Sequence, residues 1–216
     1  MNNNVEDHPL PPDDFNNKRL PTSEYSQPWY RLNPVGYDSA IYFDRSGKGR
    51  FDSFNANYGI LYAGQNERGA FIETFGRTLG VRTVSGAALQ QRNLFKIASG
   101  RPLVIVDIWG VNLTKLGVDA RISSGSYQVS RAWAKAIYEH PQQVDGICYH
   151  SRHDDTEICC GLFERTATIF QEENLGNLIE QNPKLLAEIL KHYYWLTHKL
   201  KFCSRCFNTL SPLIRT

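Results

Sequence analysis

The chain has 216 residues, of which 41% are hydrophobic, and its 24 basic and 22 acidic side chains leave a formal net charge of +2. This composition predicts one globular domain, or at most two, and the near-neutral charge disfavours direct binding of nucleic acid. The best apolar run, residues 103–111, is too short to cross a membrane, and the first residues lack a signal-peptide pattern, so we expect a cytoplasmic protein.

The first 24 residues differ in composition from the rest of the chain. Six of the ten prolines fall within residues 1–34 and five asparagines within residues 1–17, and apolar periodicity is almost absent from residues 1–24. Such a segment buries too little apolar surface to offset the entropy of ordering it. We therefore expect residues 1–24 to be a flexible arm, with the domain starting near Tyr25.

Short apolar runs bounded by turn residues predict strands further along the chain. The expected strands cover residues 30–32, 40–43, 59–63, 103–109, 146–149 and 158–163. The expected helices cover residues 67–79, 127–139 and 174–200, the last with a break near Pro183. Because strands and helices do not alternate regularly, the pattern predicts an α+β fold with a mixed or antiparallel central sheet and flanking helices. We expect a domain over residues 25–168 and a helical extension over residues 169–216.

The five cysteines give no clear metal or disulfide pattern. Cys148, Cys159 and Cys160 lie in apolar runs, which predicts buried free thiols. Cys203 and Cys206 form a CxxC pair, but no second pair of ligands stands at the spacing of a structural zinc site. We expect no bound metal and leave the role of this pair open.

Five polar residues in predicted ordered segments are candidates for function. Glu73 lies within an apolar helical segment, where a carboxylate either faces solvent or is paired or functional. Arg31 and Tyr62 lie in short strands, Arg50 ends a glycine-rich loop, and Ser151 follows a strand. Taken singly, each has an ordinary structural interpretation as a surface, core or turn residue.

The order of these residues resembles the RES-domain family, which is named for its characteristic Arg, Glu and Ser. The resemblance extends over about residues 28–165. It rests on Trp29-Tyr-Arg-Leu, Arg50-Phe, Gly59-Ile-Leu-Tyr-Ala-Gly, Ala70-Phe-Ile-Glu-Thr-Phe and Asp145-Gly-Ile-Cys-Tyr-His-Ser-Arg.

The resemblance implies a fold like that of the ADP-ribosyltransferase toxins and a toxin of a type II toxin–antitoxin system. The implied activity is cleavage of the nicotinamide–ribose bond of NAD⁺, as a glycohydrolase or a phosphorylase, with growth arrest through NAD⁺ depletion. NAD⁺ is then the substrate, and no cofactor is expected. The implied partner is an Xre-type helix-turn-helix antitoxin, and a homodimer is an open possibility.

By the same resemblance, Arg31, Glu73 and Ser151 are the catalytic residues, and Arg50 and Tyr62 complete the NAD⁺ site. Ser130 stays open as an alternative family serine, because Ser151 follows Glu73 by 78 positions, which exceeds the spacing expected of compact members. The match to Gly-Ile-x-Tyr-x-Ser-Arg favours Ser151. Two other functions remain open, namely transfer of ADP-ribose to a protein from the same site and a non-catalytic interaction domain.

Overall fold

A computed structural model describes residues 8–198, and an eight-stranded sheet forms its centre. The strands of this sheet are β1 (Thr22–Tyr25), β2 (Trp29–Pro34), β3 (Ile60–Gly64), β5 (Arg92–Ser99), β6 (Leu103–Asp107), β7 (Gly146–Ser151), β8 (Asp154–Phe163) and β9 (Phe170–Asn177). Two further strands, β4 (Thr83–Ser85) and β10 (Leu196–His198), form a separate parallel pair. Cys203 and Cys206 lie outside the described residues.

The large sheet is mixed. Its strands follow the order β1-β6-β7-β8-β3-β2-β5-β9, and all neighbours run antiparallel except β6 and β7. A parallel pair needs a long crossover, and the chain between β6 and β7 supplies three helices for it. The predicted α+β class with a mixed central sheet and flanking helices is confirmed.

Six α-helices flank the sheet in the described part of the chain, and local signals explain where the longer ones begin. They are α1 (Glu67–Phe75), α2 (Gly86–Gln90), α3 (Val111–Leu116), α4 (Arg121–Ser124), α5 (Tyr127–Glu139) and α6 (Pro183–Tyr193). The side chains of Asn66 and Ser126 cap α1 and α5 by accepting hydrogen bonds from backbone N–H groups, and Pro183 opens α6. None of the described helices has both the length and the apolar character needed to span a bilayer.

Apolar residues on both faces of the sheet form the core. Helix α5 buries Trp133 and Ile137 against one face, together with Val106 and Ile147 of the neighbouring strands β6 and β7. A second cluster, which includes Trp29, covers the opposite face. A third cluster joins α1 and α6 through residues such as Phe71, Leu186 and Leu190. Cys148, Cys159 and Cys160 are buried free thiols, as the sequence predicts.

The N-terminal segment differs from the expected flexible arm over the residues that the structure describes. Phe15 and Leu20 are buried, and residues 22–25 form the edge strand β1 of the large sheet. The side chains of Ser23 and Tyr25 donate hydrogen bonds to the buried carboxylate of Asp107. Long-range contacts therefore order a segment that is poor in local signals.

Two other sequence expectations also differ from the structure. Residues 40–43 form no strand, and only a single bridge between Asp44 and Ile60 ties this stretch to β3. The expected helical extension begins instead with β9, which pairs with β5 at the edge of the sheet. Both faces of this strand are partly exposed, so its polar run Gln171-Glu-Glu-Asn lacks the alternating apolar pattern from which a strand is predicted.

Strands β2 and β3 separate within the sheet, and this separation creates space for a site. The two strands pair at only one position, Tyr30 with Gly64, whereas β2 pairs with β5 at six positions. Helix α1 follows β3 directly and packs beside the opening. The middle of the sheet is thus open to solvent between two otherwise well-paired halves.

Candidate active site

A cavity of about 530 Å³ lies where β2 and β3 separate. Four of the five predicted site residues line it, namely Arg31, Arg50, Tyr62 and Glu73. The fifth, Ser151, lies directly behind Glu73. The other residues that line the cavity are Tyr30, Leu32, Pro34, Asp44, Lys48, Gly49, Ala63, Gly64, Ala70, Thr74, Arg77, Arg92, Ser123, Tyr127, Tyr149, Arg152 and His153.

Glu73 and Ser151 form the hydrogen-bonded pair at one wall of the cavity. The hydroxyl of Ser151 donates to Oε1 of Glu73 at 2.6 Å, and the backbone N–H of His153 donates to Ser151 Oγ at 3.2 Å. Ser151 is only 1% exposed and ends β7, where the register with β8 shifts between His150 and Ser151. The second carboxylate oxygen of Glu73 receives no hydrogen bond from the described residues and is available to a ligand.

Arg31 contributes a half-buried cation from β2. Its guanidinium makes one long hydrogen bond, from Nη1 to the carbonyl oxygen of Tyr42 at 3.4 Å. Burial lowers the pKa of Arg31, while the nearby carboxylate of Asp44 opposes that effect. The guanidinium stays charged because an arginine does not deprotonate in proteins. Its remaining N–H groups can therefore bind an anion.

Arg50 is fixed by the start of α5 and the turn before it. Its Nη1 donates to the carbonyl oxygen of Gly125 at 2.6 Å and reaches Ser130 Oγ at 3.3 Å, and its guanidinium lies 4.6 Å from the ring centre of Tyr127. Burial also lowers the pKa of Arg50, and repulsion from Arg152 adds to the effect. Such contacts hold the planar guanidinium in one orientation.

The two candidate serines have different partners. Ser130 is fully buried, and its hydroxyl donates to the carbonyl oxygen of Ile122 at 2.6 Å while it contacts Arg50. Ser151 contacts Glu73. Ser130 therefore supports Arg50 from behind, whereas Ser151 is the serine beside the carboxylate.

Tyr62 uses its hydroxyl to hold the loop that carries Arg50. It donates to Oδ1 of Asp52 at 2.8 Å and accepts a hydrogen bond from the backbone N–H of Phe51 at 2.9 Å. Asp52 is fully buried and also accepts from the N–H of Gly49 at 2.7 Å. Burial, together with the Asp52 carboxylate, raises the pKa of Tyr62 well above its usual value, so the phenol stays neutral.

The lining of the cavity is strongly cationic. Six side chains carry a positive charge, and two, Asp44 and Glu73, carry a negative one; the cations are Arg31, Lys48, Arg50, Arg77, Arg92 and Arg152. None of the six forms an ion pair with a carboxylate within the described part of the chain. A cleft lined by one sign of charge concentrates ligands of the opposite sign.

Several lining residues are not among the sequence-predicted site. Arg152 follows Ser151 in the same motif, and Arg77 stands four residues after Glu73, just beyond the end of α1, so both positions offered a local signal. Arg92 and Tyr149 come from other strands, and only the tertiary fold brings them to the cavity. Burial and the Glu73 carboxylate raise the pKa of Tyr149 well above its usual value.

Outside the cavity, one group of side chains has the composition of a metal site. Asp154, Glu157 and His192 bring their potential ligand atoms within 4.8 Å of one another. Glu157 already faces Arg68, with Nε at 2.9 Å from Oε1, and Asp154 accepts hydrogen bonds from Thr156 and Tyr193. Asp154 thus has hydrogen-bond partners, whereas neither carboxylate oxygen of the buried Glu157 accepts a hydrogen bond from the described residues, and the expected absence of a metal stays a prediction.

Comparison with known proteins gives three findings. The model of the RES domain matches residues 28–180. A curated relative, the "Probable toxin y4kH" of Sinorhizobium fredii, is 23% identical over 108 residues, which cover 50% of this chain and 84% of the relative. The crystal structure of the M. tuberculosis MbcT-MbcA toxin–antitoxin complex contains a chain with the same fold, with a TM-score of 0.57 and 15% identity over 79% of this chain and 92% of that one.

Proposed function

The chain belongs to the RES domain family, and from this membership and the charge of the cavity we propose that it is a toxin that cleaves the nicotinamide–ribose bond of NAD⁺. The observation that carries the proposal is the Glu73–Ser151 pair in a cleft that six cationic side chains line, with Asp44 as the other carboxylate. A carboxylate beside several arginines suits a ligand that carries phosphates at one end and a developing positive charge at the other.

The arginines supply the binding part of this function. NAD⁺ carries a pyrophosphate with two negative charges, and planar guanidinium groups bind phosphate oxygens through paired N–H donors. Arg31 and Arg50 both line the cavity, and neither forms an ion pair with a carboxylate among the described residues. They are proposed to bind the pyrophosphate, with Tyr62 forming part of the wall against which the nicotinamide ring rests.

Glu73 supplies the chemical part. When the C1′–N bond of the nicotinamide riboside breaks, both electrons leave with the ring, which becomes neutral nicotinamide and needs no proton. The ribose is left with oxocarbenium character, which the free oxygen of the Glu73 carboxylate stabilises. Ser151 holds the other oxygen of Glu73 at 2.6 Å and so fixes the direction in which the carboxylate points.

The same site permits three acceptors for the ribosyl cation. Water yields free ADP-ribose and a proton, inorganic phosphate yields ADP-ribose 1″-phosphate, and a protein side chain yields ADP-ribosylated protein. The second candidate function, protein ADP-ribosylation, therefore shares the cleavage step and differs only in which nucleophile reaches the cation. Identification of the products with labelled NAD⁺ separates the three cases.

The decisive experiment measures NAD⁺ loss by the purified full-length protein, with and without phosphate, for the wild type and Glu73→Gln. We expect the variant to lose at least about 100-fold in rate, because a positioned catalytic carboxylate contributes about 10²–10⁴. Glu67→Gln is the matched control, since Glu67 lies on the first turn of the same helix and outside the cavity lining. A wild type that leaves NAD⁺ intact, or a folded Glu73→Gln with full activity, contradicts the proposal.

Partners and location are proposals of the same kind. The likeness to proteins named as toxins supports a dedicated antitoxin, proposed to be of the Xre helix-turn-helix type, and a cytoplasmic site of action. Induced expression without a partner should stop growth and lower cellular NAD⁺, and expression of Glu73→Gln should do neither. Whether the chain forms a homodimer is tested by its sedimentation in solution.

A further inference from the structure

The group of two carboxylates and one imidazole outside the cavity lies where the end of α6 meets the start of β8. Asp154 and Glu157 belong to the first residues of β8, and His192 belongs to the last turn of α6. Each residue offers one potential ligand atom, and the three atoms lie within 4.8 Å of one another. The fold thus brings together three side chains that stand in two distant parts of the sequence.

Glu157 is the member of this group whose charge is poorly compensated. Its side chain is 1% exposed, and neither carboxylate oxygen accepts a hydrogen bond from the residues that the structure describes. Nε of Arg68 lies 2.9 Å from Oε1 but is not aligned for a hydrogen bond, and the Arg68 side chain is half-exposed. Burial of an ionised carboxylate is costly unless charge and hydrogen bonds compensate it. A buried acceptor of this kind calls for a further partner, such as an ion.

The spacing within the group suits a bridging metal ion better than direct contact. Nε2 of His192 and Oδ2 of Asp154 are 3.9 Å apart, which is too long for a hydrogen bond. Around a tetrahedral zinc ion with ligands at about 2.0–2.1 Å, neighbouring ligand atoms are about 3.3 Å apart. The His192 side chain is half-exposed, so it can close the remaining gap without disturbing the core.

Asp154 is held in place by hydrogen bonds from residues outside the group. Its Oδ1 accepts from the backbone N–H of Thr156 at 3.0 Å and from the Thr156 hydroxyl at 2.7 Å. Its Oδ2 accepts from the hydroxyl of Tyr193 at 3.0 Å. A carboxylate oxygen has two lone pairs, so Oδ2 can keep this bond and still bind a metal. Hydrogen bonds of this kind orient the carboxylates that ligate metals in proteins.

We propose that Asp154, Glu157 and His192 bind one divalent transition-metal ion, for which Zn²⁺ is the probe, with water at the fourth position. Zinc takes imidazole nitrogen together with carboxylate oxygen, whereas Mg²⁺ and Ca²⁺ prefer oxygen ligands alone. With a neutral imidazole, the two carboxylates and the guanidinium of Arg68 leave a net charge of about −1, which attracts a cation.

The bound ion joins α6 to the hairpin of β7 and β8. Asp154 pairs with Ser151 across the turn of this hairpin, so the ion supports the segment next to the candidate active site without lining the cavity. The proposal departs from the sequence-based expectation of no bound metal, which rested on the spacing of cysteines and histidines along the chain. It does not depend on the cleavage of NAD⁺.

Titration of the full-length protein with Zn²⁺ tests the site by calorimetry. Because Cys203 and Cys206 also offer ligands for zinc, the reference protein carries Cys203→Ser and Cys206→Ser. We expect this protein to bind one Zn²⁺ per chain, and His192→Gln in the same background to bind it at least about tenfold more weakly, a loss that changes outside the ligand set already cause. Because an ion that binds only the folded state stabilises it, saturating Zn²⁺ should raise the Tm of the reference protein and leave that of His192→Gln nearly unchanged.

Glu188→Gln is the matched control, because Glu188 lies one turn before His192 on α6 and outside the group of ligands. It should bind Zn²⁺ as tightly as the reference protein. His192 is on the surface, so its replacement should not prevent folding, and circular dichroism checks that it does not.

Three results would overturn the site. If the reference protein binds no Zn²⁺, Arg68 alone compensates Glu157 and the proposal is wrong. If His192→Gln binds Zn²⁺ as tightly as the reference protein, the ion lies elsewhere. If Mg²⁺ competes with Zn²⁺ at equal concentration, the assignment to a transition metal is wrong. None of these readouts uses NAD⁺, so the proposed function is tested separately.

Discussion

Ser151 has one hydroxyl proton, which it donates to the carboxylate of Glu73. The hydroxyl therefore cannot also donate to a ribose or phosphate oxygen while this bond is in place. Its acceptor side is used by the N–H of His153. Under the proposed function, Ser151 is therefore expected to act as a positioning residue for the carboxylate, with its contribution to the reaction passing through Glu73.

Replacing Ser151 by Ala should affect the rate more than substrate binding. The loss of one short hydrogen bond to a charged group, worth about 1.5–3 kcal/mol, frees the Glu73 carboxylate to rotate and should lower kcat about 10- to 100-fold. KM for NAD⁺ should change little, because the arginines proposed to bind the phosphates are untouched. Steady-state kinetics on the folded variant check this split. Ser130→Ala is the informative comparison, since loss of its contact with Arg50 should raise KM. A raised KM in Ser151→Ala together with a lowered kcat in Ser130→Ala would contradict the separate roles of the two serines.

At the level of single residues, the sequence predicts well which side chains come together where each belongs to a local motif. Arg31, Arg50, Tyr62 and Glu73 all reach the cavity, and the motifs around them predict the correct strands, loop and helix. The sequence does not show which group each polar side chain of the site hydrogen-bonds. From the sequence, Tyr62 is expected to stack its ring on the ligand. In the structure its hydroxyl hydrogen-bonds Asp52 and the backbone of Phe51, and these contacts depend on how the preceding loop folds back.

At the level of elements, the loop over residues 45–52 forms no helix or strand. Hydrogen bonds from side chains of other elements hold it in place. Arg131 of α5 donates from Nε to the backbone oxygen of Gly49 at 3.1 Å and also contacts the oxygen of Gly47. Tyr62 and Asp52 hold the other end of the loop. Two rigid elements, β3 and α5, therefore fix the position of Arg50, which suits its proposed role of binding a phosphate at a defined place.

Tyr62→Phe tests this support. The change removes the donor to Asp52 and the acceptor for Phe51, so a buried carboxylate oxygen and a buried N–H lose their partner, at a cost of about 1–3 kcal/mol. The free energy of unfolding should fall by that amount in urea titration, and KM for NAD⁺ should rise as Arg50 loses its fixed position. Tyr42→Phe serves as the control, because Tyr42 is 59% exposed. Equal stability of the two variants would show that the loop does not depend on the Tyr62 hydroxyl.

Strand prediction succeeds where the burial pattern is simple and fails where it is not. Strands β3, β6 and β7 are apolar on both faces and are evident from the sequence. Strand β9 carries Glu172 and Glu173 and lies at the edge of the sheet, where polar side chains are favoured and the strand pattern is easily mistaken for a helix. Its pairing with β5 comes from Arg92–Ser99, far away in the sequence.

At the level of the whole molecule, the N-terminal segment is integrated into the domain by contacts that span most of the chain. Phe15 packs edge-on against Trp133, with ring centres 5.3 Å apart, and against His140. The N–H of Leu20 donates to the side chain of Gln142 at 2.7 Å, and the indole N–H of Trp133 donates to the backbone oxygen of Pro9 at 2.8 Å. Because every one of these partners lies more than 100 residues away in the sequence, no local pattern of apolar residues predicts these contacts.

Phe15→Ala distinguishes an integrated segment from a flexible arm. Phe15 is 4% exposed, and truncating a buried phenylalanine costs about 3–5 kcal/mol through lost transfer energy and the cavity left beside Trp133. For a domain of this size, such a loss lowers Tm by about 10 °C, which differential scanning calorimetry resolves easily. Leu10→Ala is the control, since Leu10 is 61% exposed in the same segment and should leave Tm nearly unchanged. The cavity is built by other elements, so Phe15→Ala should retain NAD⁺ cleavage below its own Tm. An unchanged Tm for Phe15→Ala would instead place residues 8–21 outside the cooperative unit and restore the arm that the composition suggests.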